Sequence, residues 1–308
     1  MISEKKISEV RKLISHPTNW KYQDIAHYYK TSHSTARRYV RLAKAEKKRF
    51  PNILLLDIET APLEVYAWEI GSRVSLGHYQ IKHEWFILSW AGKWLLKDGI
   101  LSDVVTPEEA IAKDDARICE SLWSAVEESH IVIAHNAIRF DVRKINARFL
   151  TNVMLPPSPY QVIDTLKQAQ RMAAFSSHKL DHLTRLFGLS RKDDTDFALW
   201  VACCEGSKMA LDRMLKYNKS DIRALESLYL YLRPYMTSHP NLGLYCNHEE
   251  SVCPSCGDSD LDWTINHYYT PAGKYRAFRC VQCGAIGRDR FNVLTKDERE
   301  ELTISTAR

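Results

Sequence analysis

A pair of acidic residues at the end of an apolar run is the first feature of this sequence that could do chemistry. In LLLDIET, residues 54–60, three leucines lead into Asp57, and Glu59 follows two positions later. If the leucines form a buried strand, side chains two apart point to the same face, so the two carboxylates stand side by side. Like charges at that distance repel each other. A divalent cation relieves this repulsion, so the pattern predicts a metal site.

Two more acidic residues lie where they could complete such a site. The stretch VIAHNAIRFDVRKINARF places Asp141 where a strand gives way to a helix, and KYNKSDIRALESLY places Asp221 on a later helix, four residues after Tyr217. Each has a simpler interpretation alone: Asp57 could cap a turn, Asp141 could cap a helix, and Tyr217 with Asp221 could form an exposed ridge. Their order and predicted contexts together favour a joint role.

These motifs resemble those of the DEDD superfamily of 3′–5′ exonucleases, which have DxE, a strand-to-helix Asp and an Asp on a late helix. The resemblance covers roughly residues 51–236. It extends to YprB-type RNase H-like exonucleases, to the proofreading domain of family B DNA polymerases and to phage-borne exonucleases. It implies an α/β, RNase H-like core with a mixed sheet, and phosphodiester hydrolysis with two Mg²⁺ or Mn²⁺ ions about 4 Å apart.

The resemblance also implies a role for each residue. Asp57 would bridge both ions, Glu59 and Asp221 would hold the ion that activates the attacking water, and Asp141 would hold the second ion. The superfamily divides by the residue that orients this water, which is His five positions before the last Asp or Tyr four positions before it. The position five before Asp221 is Lys, and Tyr217 is four before it. The chain therefore resembles the tyrosine branch, although Tyr217 could instead be a core residue.

Three further polar residues are weaker candidates. Asn136 lies just before the second motif and is a candidate nucleic-acid contact or, alternatively, a helix cap. Asp164 at the end of a predicted strand is a candidate cap, and Lys179 could contact phosphate or simply be solvated. The sequence has no GxxxxGK[ST] loop, so nothing in it indicates a nucleotide cofactor.

The first fifty residues are strongly basic. They contain 13 Lys or Arg and 4 Asp or Glu, whereas the whole chain has a formal charge of only +5. Such an arm suggests a polyanionic partner, with a solvated helix face as the alternative. Helical spacing predicts helices over residues 3–15, 21–30 and 31–49, the last capped by Ser32 or Ser34.

Helix, short turn and helix resemble a helix-turn-helix DNA-binding module. One departure is that Lys30 or Thr31 stands where such turns often carry Gly. A basic helical hairpin that packs against a protein is the alternative interpretation. The cations expected to contact nucleic acid are Arg37, Arg38, Arg41 and Lys44.

The C-terminal part carries two CxxC pairs. Cys253 and Cys256 are separated from Cys280 and Cys283 by 23 residues, and each pair is followed by Gly. We expect each pair to form a tight turn in which this Gly lets backbone N–H groups approach the sulfurs. In an intracellular protein this spacing predicts one structural zinc ion with four cysteine ligands. The aromatic residues between the pairs are either the core of a small domain that needs its metal or platforms that stack bases.

The length and composition of the chain allow for several domains. The 308 residues, 45% of them hydrophobic, suffice for two or three domains. We divide them into a helix-turn-helix module (1–49), an exonuclease core (51–236), a zinc ribbon (245–293) and a tail (294–308). Strands are expected within the core near residues 53–57, 85–96, 100–105, 130–136 and 160–166, with helices including 107–129, 140–150, 179–189 and 210–236.

The sequence has no run of about 18 apolar residues, and its first ten residues include four charged ones where a signal peptide needs an apolar stretch. We therefore expect a cytoplasmic protein of a bacterial or phage-infected cell, with its eight cysteines as thiols or metal ligands. The expected function is a metal-dependent 3′–5′ exonuclease that prefers DNA to RNA. The alternatives are a DNA-binding regulator on a degenerate nuclease fold and a structure-specific endonuclease.

Overall fold

The computed structural model describes residues 6, 9–10, 12–13, 20–44, 50–71, 74–189, 195–245 and 250–303, with the backbone alone for residues 38 and 41–44. The helices of this part are α1 (Tyr22–Tyr28), α2 (His33–Lys44), α3 (Pro107–Ala112), α4 (Ala116–Glu127), α5 (Asp141–Thr151), α6 (Thr165–Met172), α7 (Leu180–Leu186), α8 (Phe197–Cys204), α9 (Lys208–Leu232) and α10 (Lys296–Glu300). The strands are β1 (Ile53–Thr60), β2 (Glu64–Val65), β3 (Ile81–His83), β4 (Ile87–Trp94), β5 (Leu101–Val104), β6 (Ile131–Ala134), β7 (Gln161–Asp164), β8 (Leu261–Asp262), β9 (Tyr268–Thr270), β10 (Gly273–Cys280) and β11 (Ile286–Asn292).

A five-stranded sheet in the order β5-β4-β1-β6-β7 forms the centre of the core. The pairs β1–β4 and β4–β5 are antiparallel, whereas β1–β6 and β6–β7 are parallel. Both faces of β1 and β6 are buried, which explains why these strands read as continuous apolar runs. The predicted mixed α/β sheet is confirmed.

The two faces of β1 belong to different hydrophobic clusters. The even-numbered residues from Leu54 to Ile58 pack with α4, whereas Ile53 and Leu55 pack with the C-terminal half of α9. Because side chains alternate along a strand, Asp57 and Glu59 continue the row of Ile53 and Leu55. The carboxylates thus begin where the apolar contact between β1 and α9 ends.

The long helix α9 lies across β1 and β4. Its buried residues recur at spacings of three and four, as expected for a helix with one face on a sheet. Ser207 caps its N-terminus by accepting a hydrogen bond from the N–H of Ala210. A largely buried ion pair between Lys93 of β4 and Glu226, 2.5 Å long, also joins the helix to the sheet.

The prediction of one helix over residues 107–129 was wrong, because the structure has two, α3 and α4. Lys113 has a left-handed backbone (φ 58°) and ends α3. The Asp115 carboxylate is buried and forms two 2.7 Å hydrogen bonds with Arg148, while the N–H of Ile87 donates to it at 2.8 Å. This buried network draws the chain inward and interrupts the helix.

The N-terminal helices α1 and α2 agree with the predicted second and third helices. Most of the predicted first helix, residues 3–15, lies outside the described residues; those described, 6, 9–10 and 12–13, are helical. Ser32 caps α2, because its Oγ accepts a hydrogen bond from the N–H of Thr35 at 3.2 Å. Lys30 has a left-handed backbone (φ 46°) in the turn, the conformation for which Gly is preferred.

A second sheet lies in the C-terminal segment that we call the four-cysteine ribbon, residues 250–293. Its strand order is β11-β10-β8, and β9 also pairs with β10. The short helix α10 follows within the predicted tail. Across the described ranges, no helix combines the length and apolar character that crossing a membrane requires.

Candidate active site and cysteine cluster

Three of the predicted acidic residues come together. Asp57 and Glu59 lie on β1, and Asp221 lies in the middle of α9, so residues from distant parts of the chain meet. Asp57, Glu59 and Asp221 each offer a carboxylate oxygen within 4.8 Å of the other two, close enough to ligate one metal ion. Oxygen donors of this kind suit hard cations such as Mg²⁺ and Mn²⁺.

Small residues on the neighbouring strand make room for this cluster. In the antiparallel register of β1 and β4, Ala91 stands opposite Asp57 and Ser89 stands opposite Glu59. Both small residues are fully buried on the face that α9 covers. Their size allows the helix to approach the sheet closely, which brings Asp221 to the two carboxylates of β1.

A buried amide, which the sequence analysis missed, holds Asp57. Asn218 donates from Nδ2 to Oδ2 of Asp57 at 2.5 Å, and its Oδ1 accepts from Oγ of Ser89 at 3.5 Å. Asn218 is fully buried and lies three residues before Asp221, so both project from the same face of α9. A polar residue at that spacing, on the apolar face of an amphipathic helix, was the available signal.

Asp141 lies deeper than the other three acids. It is the first residue of α5 rather than its N-cap, and it is 2% exposed. Burial raises the pKa of its carboxyl well above the ordinary value, and the charges of Glu59 and Asp164 add to the shift, while N–H groups of Asp141 itself and Ile58 oppose it. Within the described residues, Oδ1 of Asp141 has no hydrogen-bond partner.

Asp164 fixes the turn that precedes Asp141. It caps α6 by accepting from the N–H of Lys167, and it also accepts from the N–H groups of Asn136 and Ile138, both at 3.1 Å. The cap interpretation of Asp164 is therefore confirmed. Asn136 is not the cap of α5, since Phe140 occupies that position; it has a left-handed backbone (φ 71°) in this turn.

Asp57, Glu59 and Asp221 line a cavity of about 540 Å³ that we call the carboxylate cleft. Lys179, just before α7, also lines the carboxylate cleft, together with Asn136 and His135. His135 Nδ1 is 2.9 Å from Oγ1 of Thr165, and its Nε2 is 2.9 Å from the carbonyl oxygen of His178. The histidine therefore ties the loop carrying Lys179 to the end of β6 and brings a cation to the acidic cleft.

Tyr217 is largely enclosed by other side chains. It is 6% exposed, belongs to the cluster that includes Leu54, and meets Trp200 edge to face with ring centroids 6.2 Å apart. It lies one helical turn before Asp221 but not among the residues that line the carboxylate cleft. Its assignment as the residue that orients water stays a prediction.

A second cavity, the aromatic cavity, adjoins the cleft and was not predicted. It has a volume of about 680 Å³ and shares Thr195 with the cleft, and its lining includes Thr60 at the end of β1. Lys144 lies over the ring of Trp85, with Nζ 3.6 Å from the centroid, and burial lowers its pKa. The aromatic rings of the lining are Trp85, Phe197 and Trp200.

The four predicted cysteines of the ribbon form a compact cluster. Their four Sγ atoms all lie within 4.8 Å of one another. The Sγ atoms of Cys253 and Cys283 are 3.6 Å apart, and those of Cys256 and Cys280 are 3.5 Å apart. In a tetrahedral zinc site with bonds of about 2.3 Å, neighbouring sulfurs lie about 3.8 Å apart. The sulfurs thus have close to the spacing that zinc requires, and none of these cysteines is in a disulfide.

Each CxxC pair forms the same backbone turn. Gly257 and Gly284 have left-handed backbones (φ 75° and 77°), and their N–H groups donate to the carbonyl oxygens of Cys253 and Cys280. The thiol of Cys256 and nearby backbone N–H groups lower the pKa of Cys253. These turns fix the sulfurs locally, as the glycine after each pair predicted.

The ribbon contacts the end of the core. The N–H of Leu242 donates to the carbonyl oxygen of Pro254 at 2.7 Å. Gly284 lies against Pro234, in the turn that follows α9, so that a Cβ on the glycine would be 3.8 Å from the proline ring. The second cysteine turn therefore packs beside the C-terminal end of α9.

The predicted nucleic-acid contacts of the N-terminal helices are only partly described. Arg37 lies over the ring of Tyr22 at 4.4 Å and donates to its hydroxyl at 3.0 Å, which fixes the arginine between α1 and α2. The side chains of Arg38, Arg41 and Lys44 lie outside the described part of the chain.

The family comparison agrees with this architecture. The family RNase_H_2, described as RNase_H superfamily, matches residues 101–233. No curated protein matches the chain. The solved structure of a family B DNA polymerase from the hyperthermophilic archaeon Pyrobaculum calidifontis is similar at 13% identity and a TM-score of 0.45; the similarity covers 74% of this chain but only 32% of the polymerase. The family match and the sheet order identify an RNase H-like core, which supports a nuclease-type function on nucleic acid.

Proposed function

We propose that this protein is a metal-dependent 3′–5′ exonuclease of the tyrosine branch, acting on DNA in preference to RNA. The observation that carries the proposal is the convergence of Asp57, Glu59 and Asp221 at one end of an RNase H-like sheet. Three carboxylates this close are unfavourable without a cation, whereas a hydrolase that neutralises a phosphodiester needs them.

The donor set fits a divalent metal. All the candidate ligands are carboxylate oxygens, and Oδ1 of the buried Asp141 lacks a hydrogen-bond partner within the described residues. Asp57, Glu59 and Asp221 would hold one ion, and Asp57 with Asp141 would hold the second. When bound, such ions neutralise charge at the scissile phosphate and lower the pKa of a ligated water.

The protein fixes its ligands before the substrate arrives. Asn218 holds Asp57 in one orientation, so this carboxylate does not reorganise on binding. The raised pKa of Asp141 means that a cation or a proton must accompany it in the buried position. Tyr217, one turn before Asp221, is assigned to hydrogen-bond the attacking water through its hydroxyl, in keeping with its position in the sequence motif.

The walls of the site suit a nucleotide. On the lining of the carboxylate cleft, the Lys179 ammonium supplies a positive charge for a phosphate, and Asn136 supplies an amide. The aromatic cavity next to it offers the rings of Trp85, Phe197 and Trp200 to the sugar and base. The 3′ end of a nucleic acid in the cleft would thus contact the carboxylates, the Lys179 ammonium and the aromatic rings.

The flanking segments complete the proposal. The four-cysteine ribbon would hold one structural zinc ion, because four sulfurs at near-tetrahedral spacing match its preference. The N-terminal helices would bind DNA as a helix-turn-helix through Arg37, Arg38, Arg41 and Lys44. Such modules would retain the substrate, since phosphodiester hydrolysis at the core reads no sequence.

One experiment tests the reaction and its direction. Full-length protein is incubated with 5′-labelled single-stranded DNA, the matching RNA or circular DNA, each with Mg²⁺ or Mn²⁺. We expect a ladder that shortens from the 3′ end, faster on DNA than on RNA, with circular DNA intact. Cleavage of the circle would instead indicate an endonuclease, and binding without cleavage of any substrate would indicate a DNA-binding regulator.

A further inference from the structure

The sheet of the four-cysteine ribbon is more basic than its surroundings. Residues 268–292 contain five Lys or Arg and one acidic residue, whereas residues 250–303 as a whole contain seven Lys or Arg and nine Asp or Glu. The acids are concentrated near the first cysteine turn and in α10. The sheet is therefore a local positive surface on an otherwise slightly acidic segment.

The strand register assigns four of its side chains to one face. Tyr268 of β9 pairs directly with Tyr275 of β10, and Arg288 of β11 pairs with Ala277, two residues after Tyr275. Paired residues and alternate residues along a strand share a face. The β10–β11 register shifts between Tyr275 and Ala277, but the Arg288 guanidinium still lies over the Tyr275 ring, which places both on one face. This arrangement defines the tyrosine–arginine face, which consists of Tyr268, Tyr275, Arg279 and Arg288.

The groups on this face are held in position yet accessible. The Arg288 guanidinium lies 4.2 Å from the ring centroid of Tyr275 and 5.4 Å from that of Tyr268. Tyr268 is 50% exposed, Tyr275 is half-buried, and both arginines are exposed. Ala277, which pairs with Arg288 and lies two residues before Arg279, is small and buried, so the larger rings and guanidinium groups project beyond it.

We propose that the tyrosine–arginine face binds single-stranded nucleic acid, with bases stacking on Tyr268 and Tyr275 and phosphates pairing with Arg279 and Arg288. An unpaired base exposes a π-face to an aromatic ring, whereas a base inside a duplex does not. Alternating cations and rings are therefore matched to one strand. The choice of nucleic acid as the ligand rests on the proposed function.

The opposite face of the sheet provides a matched control. Arg276 lies over Trp263 at 4.6 Å, and Trp263 packs at 5.0 Å against Phe278, which is buried in the ribbon. Arg276 is thus an exposed arginine over an aromatic ring, like Arg288. The ring beneath Arg276 is Trp263, which packs against the buried Phe278 on the opposite face of the sheet. Replacing Arg276 removes the same charge from the same domain without touching the tyrosine–arginine face.

The test measures binding by the full-length, zinc-loaded chain carrying Asp57→Ala, so that no probe is hydrolysed. Fluorescence anisotropy follows a labelled oligothymidylate 20-mer, a blunt 20-base-pair duplex and polyaspartate. In this background Tyr268→Ala, Arg288→Ala and Arg276→Ala are compared, and zinc content confirms that each ribbon is intact. A salt titration accompanies each measurement.

We expect Tyr268→Ala to weaken binding of the single strand about 5- to 100-fold, the range for one lost stacking platform. Arg288→Ala should weaken it as well and reduce the slope of log K against log salt by about 0.7. Arg276→Ala should stay within about twofold of the parent, and the duplex should respond little to any of the three.

Three results would overturn the assignment: equal binding by all variants, an equal loss from Arg276→Ala, or polyaspartate binding as tightly as the oligonucleotide with no effect of Tyr268→Ala. The last would indicate an acidic protein partner. If the chain with Asp57 intact hydrolyses nothing but the expected binding pattern appears, the face stands and the exonuclease proposal fails.

Discussion

The two candidate metal sites of this chain are built in opposite ways. Each half of the cysteine cluster comes from one tight turn, in which a glycine with positive φ donates its N–H to the carbonyl oxygen of the first cysteine of the pair. The carboxylate cluster instead joins β1 to the middle of α9, and Asp141 arrives from a third element. One site depends on local backbone geometry, and the other depends on the packing of the whole core.

This contrast teaches what each site can do. Four soft donors at fixed spacing enclose an ion on all sides, which suits a structural role. The carboxylates lie in an open cleft, which leaves coordination positions for water and substrate. The proposed zinc would therefore act on the fold, whereas the proposed Mg²⁺ or Mn²⁺ would act on the reaction.

The largest effect that distinguishes the two sites is expected from removing the second cysteine turn. The double change Cys280→Ser, Cys283→Ser should abolish zinc binding and unfold the ribbon, because structural zinc supplies on the order of 10 kcal/mol in small domains. Limited proteolysis should cut within residues 250–293 while residues 51–236 stay intact, and elemental analysis should find no zinc. Cys204→Ser, which alters a cysteine outside the cluster, should retain one zinc per chain.

Asp57→Ala should abolish catalysis and leave the fold intact, the reverse of the cysteine result. Loss of the ligand assigned to both ions should lower single-turnover hydrolysis at least about a thousandfold, since metal charge stabilisation is worth several kcal/mol. Asp212→Ala, which removes an exposed carboxylate of the same helix that carries Asp221, should hydrolyse at the normal rate. Near-normal turnover by Asp57→Ala would refute the site.

Tyr217→Phe separates the chemical and packing roles of a buried ring. If the hydroxyl orients water, kcat should fall on the order of 10- to 1,000-fold with little change in substrate binding or metal affinity. The control is Tyr231→Phe, which removes a hydroxyl from a half-exposed tyrosine farther along α9. An unchanged single-turnover rate at saturating Mg²⁺ would make Tyr217 a core residue and remove the tyrosine-branch assignment.

The smallest expected effect is a change in Tm, because burying the Asp141 carboxyl without a metal ion destabilises the fold. In EDTA, Asp141→Asn should raise the Tm by a few degrees, because it removes a buried carboxyl whose Oδ1 has no hydrogen-bond partner among the residues that the structure describes. In a domain of this size, about 1 kcal/mol shifts the Tm by roughly 2–4 °C. The Tm gain on adding Mn²⁺ should shrink in this variant. Asp212→Asn should match the unmodified protein in both buffers, and a lower Tm for Asp141→Asn in EDTA would contradict the argument.

Much of the fold and of the site followed from the sequence where the determinants are local. The run before Asp57 predicted a buried strand, and the glycine after each CxxC pair predicted a turn beside sulfur. What the sequence did not reveal was tertiary. The break between α3 and α4 depends on the ion pair of Asp115 with Arg148, and the orientation of Asp57 depends on Asn218.

The aromatic cavity shows the same limit. Its lining comes from separate stretches near residues 60–63, 85, 144 and 195–200, and none of them carries a motif. Only the folded core brings Trp85, Lys144 and Trp200 to one place. Spacing in a sequence reports on neighbours along one element, so a surface assembled from several elements leaves no periodic signal.

The helix α9 is one unbroken span of 25 residues, about 38 Å long. Asp221 lies near its middle, and the turn at its far end touches Gly284 of the second cysteine turn. The candidate metal-binding acids and the ribbon are therefore connected by one continuous helix. Loss of the proposed zinc should destabilise the C-terminal end of α9 first. This would be seen as faster amide hydrogen exchange at that end than at Asp221. A force that a bound nucleic-acid strand exerts on the ribbon would reach the same helix that carries the candidate metal ligand Asp221.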